Sequence, residues 1–336
     1  LLRRMQQEPD SPEALATIPL LSLDDIEKKA EELPLVQREE GGVTVLTHPV
    51  PTNKIAYVDL YFDSTAVPER LLPYIPLLAG VLGKVSTEHY SYEDLAKEIN
   101  IHLGAFTASS QAFSEAHSDD EYFPKMVVRA KALIDKVDKL FALVKELLLH
   151  TRFDEEKRLR EVIQEIKSRL EFGIINRGSA VAARRVTSYF SQWGKYLELT
   201  TGLTFYRFIA DLERDFASVK EDIKENLRAV AGMVFDRSNL LVSVTSSEED
   251  YGRVRPHLIE FIGDLPHSEL ERQKYSFDLQ PLNEGLLTPG DVQFVAKGYN
   301  FRRLGYSFSG AMHVLATIAG YDYLWNRVRV QGGAYG

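Results

Sequence analysis

The sequence predicts an α+β fold, and three observations predict it. Strict period-two hydrophobicity marks a strand around Val58, three-and-four spacing of apolar residues fills much of 135–265, and further strand patterns lie on both sides of that helical tract. The chain of 336 residues is 44% hydrophobic and 26% charged, which is globular composition with length enough for a core. A disordered tail, a collagen-like fibre and a disulfide-stapled miniprotein are excluded. At roughly 150 residues per domain the length suggests two domains, or one and a fraction.

Residues 1–40 are acidic, hold four prolines (Pro9, Pro12, Pro19, Pro34) and read as a linker with one short helix over Leu23 to Leu33. Ser22 is its expected N-cap, Asp24 and Asp25 complement the helix dipole, and Pro34 ends it. From Gly41 the pattern changes. Ala56, Val58, Leu60 and Phe62 alternate with polar positions between Lys54 and Asp63, as in a half-buried strand. Val43 to Leu46 gives a partner strand across the turn residues Pro49, Pro51 and Asn53. Leu71 to Leu82 and Tyr92 to Ile99 read as helices, and Leu103 to Phe113 and Met126 to Ala132 as strands.

Val137, Leu140, Phe141, Val144, Leu147 and Leu148 recur at helical spacing, as do Leu159, Val162, Ile163, Ile166 and Leu170. The pairs Asp154–Arg158, Glu156–Arg160 and Glu165–Arg169 stand in the favourable acid-first order on the second of these helices. Leu240, Val242 and Val244 form a late strand, followed by a helix near Arg253 to Ile262. These elements make one α+β domain over 41–265. The polar, aperiodic stretch 266–290 reads as an interdomain linker. Beyond it, 291–336 opens a further domain, with a strand at Val292 to Ala296 and a helix from Ser309 to Val330 that buries Ala311, Val314, Leu315, Ile318, Trp325 and Val328.

The net charge of −9, without a basic block, argues against a nucleic-acid partner, because such binding rests on phosphate neutralisation. Cysteine is absent, which removes disulfides, thiolate nucleophiles and Cys-ligated zinc. No apolar run approaches the ~20 residues of a membrane span, and no signal-peptide pattern opens the chain. The expectation is a soluble piece of a longer polypeptide, cut at both ends, from the cytoplasm or an organelle matrix, with no membrane partner.

Complete catalytic constellations are lacking. None of the eight histidines stands in an H-E-x-x-H or H-x-x-E-H pattern. His117 with Asp119, Asp120 and Glu121 is the nearest approach to a metal set, and a solvated acidic loop explains it better. Gly305 to Gly310 resembles a nucleophile elbow only in part, and Ser309 reads as a helix N-cap. Glu88, Glu93, Asp94 and Glu98 suit a helix start near Ser91. Tyr57, Tyr61 and Phe62 share a strand, which makes them core and sheet surface, and Trp325 reads as core. One segment stands apart: Arg327-Val328-Arg329-Val330 closes a helix and runs into Gln331-Gly332-Gly333-Ala334-Tyr335-Gly336. An Arg and a Tyr flanking glycines can converge on a carbonyl or oxyanion. A cationic helix end with glycine stop signals accounts for the same residues equally well.

The run Tyr323 to Gly336, and within it R-V-R-V-Q-G-G-A-Y-G, resembles the presequence protease and falcilysin-like zinc metallopeptidases of the pitrilysin (insulinase) clan. Pro51 to Asp63 is similar to the opening strand of that family's third domain, and Ser86 to Leu95 to its G-T-x-x-Y-S-Y-x-x-L pattern. Residues 9–33 resemble the linker between the family's two halves. Lys54 stands where the family has Gly, and His102 to Ala105 replaces a glycine-rich turn. The resemblance implies pitrilysin-type α+β domains, each an antiparallel sheet flanked by helices, in two halves that close around a peptide chamber. It implies zinc held by H-x-x-E-H in the first half, no metal ligand here, and a Leu71 to Leu82 helix in the place of the zinc-binding helix. It also implies that this chain is the linker, the third domain and the truncated start of the fourth. Its partners would be the N-terminal zinc-binding half of the same polypeptide and peptide substrates. Carried over, Arg329 and Tyr335 would stabilise the tetrahedral intermediate and grip peptide backbone, with Gly332 and Gly333 giving close approach. The fragment is then a part of a zinc metalloendopeptidase that is inactive alone. The alternative is a non-catalytic binding or assembly module on the same degenerate fold.

Overall fold

The computed structural model describes residues 9–115, 118, 121–289 and 291–334. Its contacts divide it into two compact units, one up to Pro34 and one from Leu35 onward. In the first, one helical turn spans Pro12–Leu15, capped by the Ser11 hydroxyl, which accepts from Ala14 N–H at 3.2 Å. The helix expected over Leu23 to Leu33 is a single 3₁₀ turn, Leu23–Asp25. The Ser22 N–H and hydroxyl both donate to the Asp25 carboxylate, at 2.7 and 2.9 Å, so the turn does start at Ser22. The helix stops because Leu23, Ile26 and Leu33 stay exposed. A short helix with no face to bury is marginal in water.

The second unit is built on a six-stranded sheet. Its strands are β1 (Val36–Glu40), β2 (Val43–Pro49), β3 (Ile55–Asp63), β4 (Ala105–Ser114), β5 (Tyr122–Leu133) and β6 (Leu240–Ser246), in the spatial order β1-β2-β6-β3-β5-β4. Residues 36–40, at the end of the acidic tract, are therefore a sheet strand. Gly41 and Gly42, at φ +57° and +79°, make the tight turn that lets β1 fold back on β2. The strand β2 does not pair with β3: β6 lies between them, parallel to β2 and antiparallel to β3. All other pairings are antiparallel.

Period two on β3 works as expected. Ala56, Val58, Leu60 and Phe62 are fully buried, while the odd positions remain at least partly open. In register with them across the sheet stand Ala132, Ala130, Val128 and Met126 of β5, and Val58 and Leu60 also face Val244 and Val242 of β6.

Helices cover this inner face: α1 (Tyr74–Val81), α2 (Tyr92–His102), α3 (Val137–Leu149), α4 (Glu156–Asn176), α5 (Gly178–Thr187), α6 (Gln192–Thr201), α7 (Leu203–Arg214), α8 (Phe216–Val234) and α9 (Glu248–Asp264). The start of α2 is fixed by Ser91, whose hydroxyl accepts from Asp94 N–H at 3.1 Å. Ile75, Leu77 and Leu78 of α1, Leu140 and Leu147 of α3, and Leu227 and Val230 of α8 join the sheet in one core. Phe62 meets Phe235 edge-on at 5.3 Å within it.

Local charge pairing on α4 yields to tertiary partners. Only Glu165–Arg169 survives of the three expected pairs, at 4.0 Å. Asp154 pairs with Arg152 at 2.7 Å, and Glu156 bridges to Lys220 and Lys224 of α8 at 2.8 and 3.1 Å. The Arg158 guanidinium lies over the Tyr92 ring and donates to the Lys84 carbonyl at 2.7 Å. Where a helix is packed against another, a cross-helix lysine takes the place of a weak i,i+4 partner.

The tract 266–290 has no regular secondary structure among its described residues, yet it is anchored. Tyr275 and Phe277 are buried, and the Tyr275 hydroxyl reaches the Val67 and Ser64 carbonyls at 2.6 and 3.0 Å. Beyond it two expectations fail. Val292 to Ala296 is not a strand; it is an irregular segment with Val295 84% exposed. The final helix forms as α10 (Ala311–Ile318), which widens into a π-helix over Ala319–Gln331, and it starts from Gly310 rather than Ser309. Its apolar face is uncovered: Val314, Leu315, Ile318, Trp325 and Val328 are all exposed. The three-and-four spacing encodes the helix correctly, but the surface it was expected to bury against is not among the described residues.

Replacing Phe62 with Ala empties the contact with Phe235 at the centre of the sheet and is expected to cost about 3–5 kcal/mol. Urea unfolding should show a lower midpoint at unchanged slope; an unchanged midpoint would mean that the β3 face does not carry the core.

Candidate functional site

Arg329, Gly332 and Gly333 lie at the turn after the last helix, and a second exposed polar surface lies on the sheet face that the helices leave open. At the turn, the Arg329 guanidinium lies 4.3 Å from the Trp325 ring centroid, one widened turn earlier on the same helix. A cation over an indole face is held without losing its donor edges. Trp325, 44% exposed in this chain, carries the Arg329 guanidinium on its ring. The helix ends through glycine. Gly333 takes φ +70°, and a Cβ on Gly332 would stand 2.6 Å from the Val328 carbonyl oxygen. The N–H groups of Gly332 and Gly333 go to the Arg329 carbonyl, and that of Ala334 to the Val328 carbonyl. Arg329, Gly332 and Gly333 thus sit in one hydrogen-bonded turn. Tyr335 lies outside the described residues, as do His117, Asp119 and Asp120.

The open sheet face carries the odd-numbered residues of β3 and β5 with their partners on β4. Asp59 accepts from Arg129 Nε at 3.0 Å and from the Tyr61 hydroxyl at 3.2 Å. Asp63 accepts from Lys125 at 2.7 Å, pairs with Arg272 at 3.2 Å, and is held by the Thr65 N–H at 2.8 Å and the Thr65 hydroxyl. Tyr61 packs edge-on to Phe113, with ring centroids 6.0 Å apart, and Lys131 lies over Tyr57. Thr107, Ser109 and Gln111 of β4 add uncharged donors and acceptors beside them. The result is a half-open surface of hydroxyls and aromatic edges in which both carboxylates are paired and the cations Arg129, Lys125, Arg272 and Lys131 outnumber them. One sign of it is present in the sequence, in the polar positions that alternate with the apolar ones on β3. That β4 and β5 continue the same surface is a matter of strand pairing, which no local pattern encodes.

Electrostatics on this face follow from the pairing. Burial pushes the Asp63 carboxyl up, but the Lys125 ammonium and the two Thr65 donors together outweigh it and hold the group below the ordinary carboxylate range. Burial, then the neighbouring Asp59 charge, pushes the Tyr61 phenol above its ordinary value, so it stays a neutral hydrogen-bond donor.

The carboxylates near residue 90 are structural. Asp94 accepts from the capping Ser91 hydroxyl at 2.9 Å and from Lys97 at 2.8 Å, Glu98 pairs with His102 at 3.4 Å, and Glu88 with His150 at 3.0 Å. A residue that the sequence did not single out does more: buried Glu146 accepts from the His89 N–H at 3.1 Å and from its ring at 2.9 Å, tying the 86–90 loop to the end of α3. No group of three or more His, Asp or Glu side chains among the described residues could hold a metal ion. The resemblance itself places the zinc in the other half of such a polypeptide. No described helix is long and apolar enough to cross a membrane.

A depressed carboxyl stabilises the fold above its unfolded pKa of about 3.9 and ceases to do so as pH falls through its lower folded value. Asp63→Asn should therefore cost about 1–3 kcal/mol at neutral pH, as for a charge-assisted hydrogen bond. The deficit should shrink toward pH 3 in urea titrations; a deficit independent of pH would place the effect outside the carboxylate charge.

Among known proteins, the family described as the associated domain of M16 peptidases, subfamily C, matches residues 1–212, and that described as PreP C-terminal domain matches residues 283–336. Protein HypA of Clostridium perfringens is 40% identical over all of this chain, which covers 34% of HypA. Presequence protease 1, chloroplastic/mitochondrial, of Arabidopsis thaliana is 29% identical over all of the chain, which covers 31% of it. The mitochondrial presequence protease of Drosophila melanogaster is 23% identical over 95% of the chain, again covering 31% of the relative. The chain thus spans about a third of the length of these relatives. With its six-stranded sheet under a layer of helices and a family match over well more than half its length, the chain belongs to the family of domains associated with M16 peptidases of subfamily C.

Proposed function

We propose that this chain is a non-zinc-binding part of a peptide-degrading zinc metalloendopeptidase and works as one wall of its substrate chamber. One observation carries the reading: the whole chain aligns within a protein named presequence protease, of which it spans about a third. The other part of such a polypeptide would bring the zinc and its general base. The domain plan goes with this proposal, moved only where β1 joins the sheet: a linker over 1–35, a zinc-free α+β domain over 36–265, a connecting stretch over 266–290, and the start of a further domain at 291–336.

In this reading the open face of the sheet meets the peptide. Hydroxyls and aromatic edges hold an extended chain without demanding one sequence, and the neutralised Asp59–Arg129 and Asp63–Lys125 pairs avoid repelling either charge. Arg329 donates hydrogen bonds to the carbonyl under attack and to the oxyanion formed from it, where a fixed donor is worth most. Tyr335 is the second donor, and Gly332 and Gly333 leave room for the peptide backbone. The names of the Arabidopsis and Drosophila relatives are in keeping with an organelle matrix, and a cytoplasmic setting suits the same chemistry.

The test is cleavage of an internally quenched peptide by the intact parent and by this chain alone with added zinc. Cleavage by the parent only, with kcat/KM lowered on the order of 10²–10³-fold in Arg329→Ala and Tyr335→Phe, is expected for lost oxyanion donors. Zinc-dependent cleavage by the chain alone would overturn the reading. A parent without an H-x-x-E-H motif, binding peptides but not cutting them, would replace it with a non-catalytic binding or assembly module.

A further inference from the structure

We propose that the Arg185–Glu284 ion pair is a latch that holds an extended strap on the helical layer and so positions the last helix with Arg329; its consequence for activity rests on the role given to Arg329 above. The strap runs from Phe277 to Arg303 and is pinned at successive points. The Gln192 carboxamide accepts from Phe277 N–H at 2.8 Å and donates to the Phe277 carbonyl at 3.0 Å, as a neighbouring strand would. The Phe294 ring lies so close to Gly178 that a Cβ there would collide with it, and a Cβ on Gly298 would stand 2.8 Å from Val186. Arg303 donates to the Phe190 carbonyl at 3.1 Å.

Between the first of these points and the rest lies a charged clasp. Arg185 gives Glu284 two parallel hydrogen bonds, at 2.6 and 2.7 Å, and the Tyr189 hydroxyl donates to the same carboxylate. A planar guanidinium gripping both oxygens fixes direction as well as distance. Behind it, the third nitrogen of Arg185 donates to Glu198, 1% exposed, at 3.0 Å, and Glu198 also accepts from the Thr204 N–H at 3.0 Å. The guanidinium is thus anchored in the helical layer before it meets the strap. The Arg185 hydrogen bonds hold the Glu284 carboxyl down at about 2, so salt, not moderate pH, is the variable that loosens the clasp.

The clasp matters for the segment beyond it. The strap runs straight into the helix that presents Arg329, so where the strap is held sets where that helix begins. Arg185 lies within the first family match and Glu284 at the opening of the second.

Glu284→Gln in the intact parent is the variant of choice, because removing Arg185 would leave Glu198 buried and unpaired. Hydrogen exchange should speed about tenfold in strap peptides within 280–303 and stay unchanged in α6 and α8, as when one charge-assisted pair is lost from a local opening unit. With a quenched peptide, kcat should fall with little change in KM, and high salt should slow the wild type but not the variant. Unchanged strap exchange in Glu284→Gln would overturn the latch whatever the parent's activity. Faster strap exchange with wild-type kcat and wild-type salt dependence would overturn its positioning role. If Arg329→Ala also leaves kcat unchanged, the role of Arg329 fails and the positioning role falls with it, while exchange still reports the latch.

Discussion

The fold depends on the insertion of β6 between β2 and β3. This strand is the last to be made, yet it takes a central place, hydrogen-bonded on both edges. Until the chain has passed from Leu133 through six helices to Leu240, β2 and β3 have no common neighbour and the sheet stays in two pieces. Such non-local pairing carries a loop-closure cost that only extensive burial offsets. The helices of the crossover supply that burial. Together with α1, which precedes the crossover, they lie on one face, where Phe62, Leu60 and Val58 share a core with α1, α3 and α8.

Closing one face leaves the other to solvent, and that shapes the chemistry there. Strands at the middle of a sheet cannot hold unpaired charges half-buried without cost, so Asp59 and Asp63 each stand against a cation from β5. Once these charges are paired, what remains accessible is aromatic and hydroxylic, with Lys131 over Tyr57. In the proposed reading, the same requirement that stabilises the sheet makes its open face tolerant of different peptides.

Much of this is legible because period and burial coincide. On β3 the alternation names its buried residues correctly, and at Ser22 and Ser91 the capping residues start their turns where expected. Legibility fails where a pattern needs a partner that sequence cannot show. Leu23 to Leu33 has helical spacing but no surface to bury against, and forms one turn. Ala311 to Val328 has the same spacing and does form a helix, with its apolar face exposed. On α4 the i,i+4 rule names partners for Asp154 and Glu156, but α8 and Arg152 offer better ones. Strand pairing is legible only in part, since Val43 to Leu46 and β3 look like a hairpin until β6 is placed between them. As for the candidate site, Arg329 with its glycines is visible as a motif. The Arg185–Glu284 clasp is not, because its two members are far apart in sequence and each is ordinary alone.

The turn after Arg329 narrows what those glycines can do. Glycine at a helix end is explained by backbone geometry, and glycine beside a ligand by open backbone donors; the structure separates the two. The N–H groups of Gly332, Gly333 and Ala334 are already taken by the Arg329 and Val328 carbonyls. They are not a nest awaiting an anion. If this turn meets a peptide, its hydrogen bonds come from side chains, and the glycines contribute clearance and a fixed exit direction for the chain. Four residues apart on one side of the last helix, Trp325 and Arg329 stack, and the ring beneath the guanidinium keeps its donor edge in place. Termination of the helix and presentation of the guanidinium are one piece of geometry, so the structural and the chemical reading of this motif need not compete.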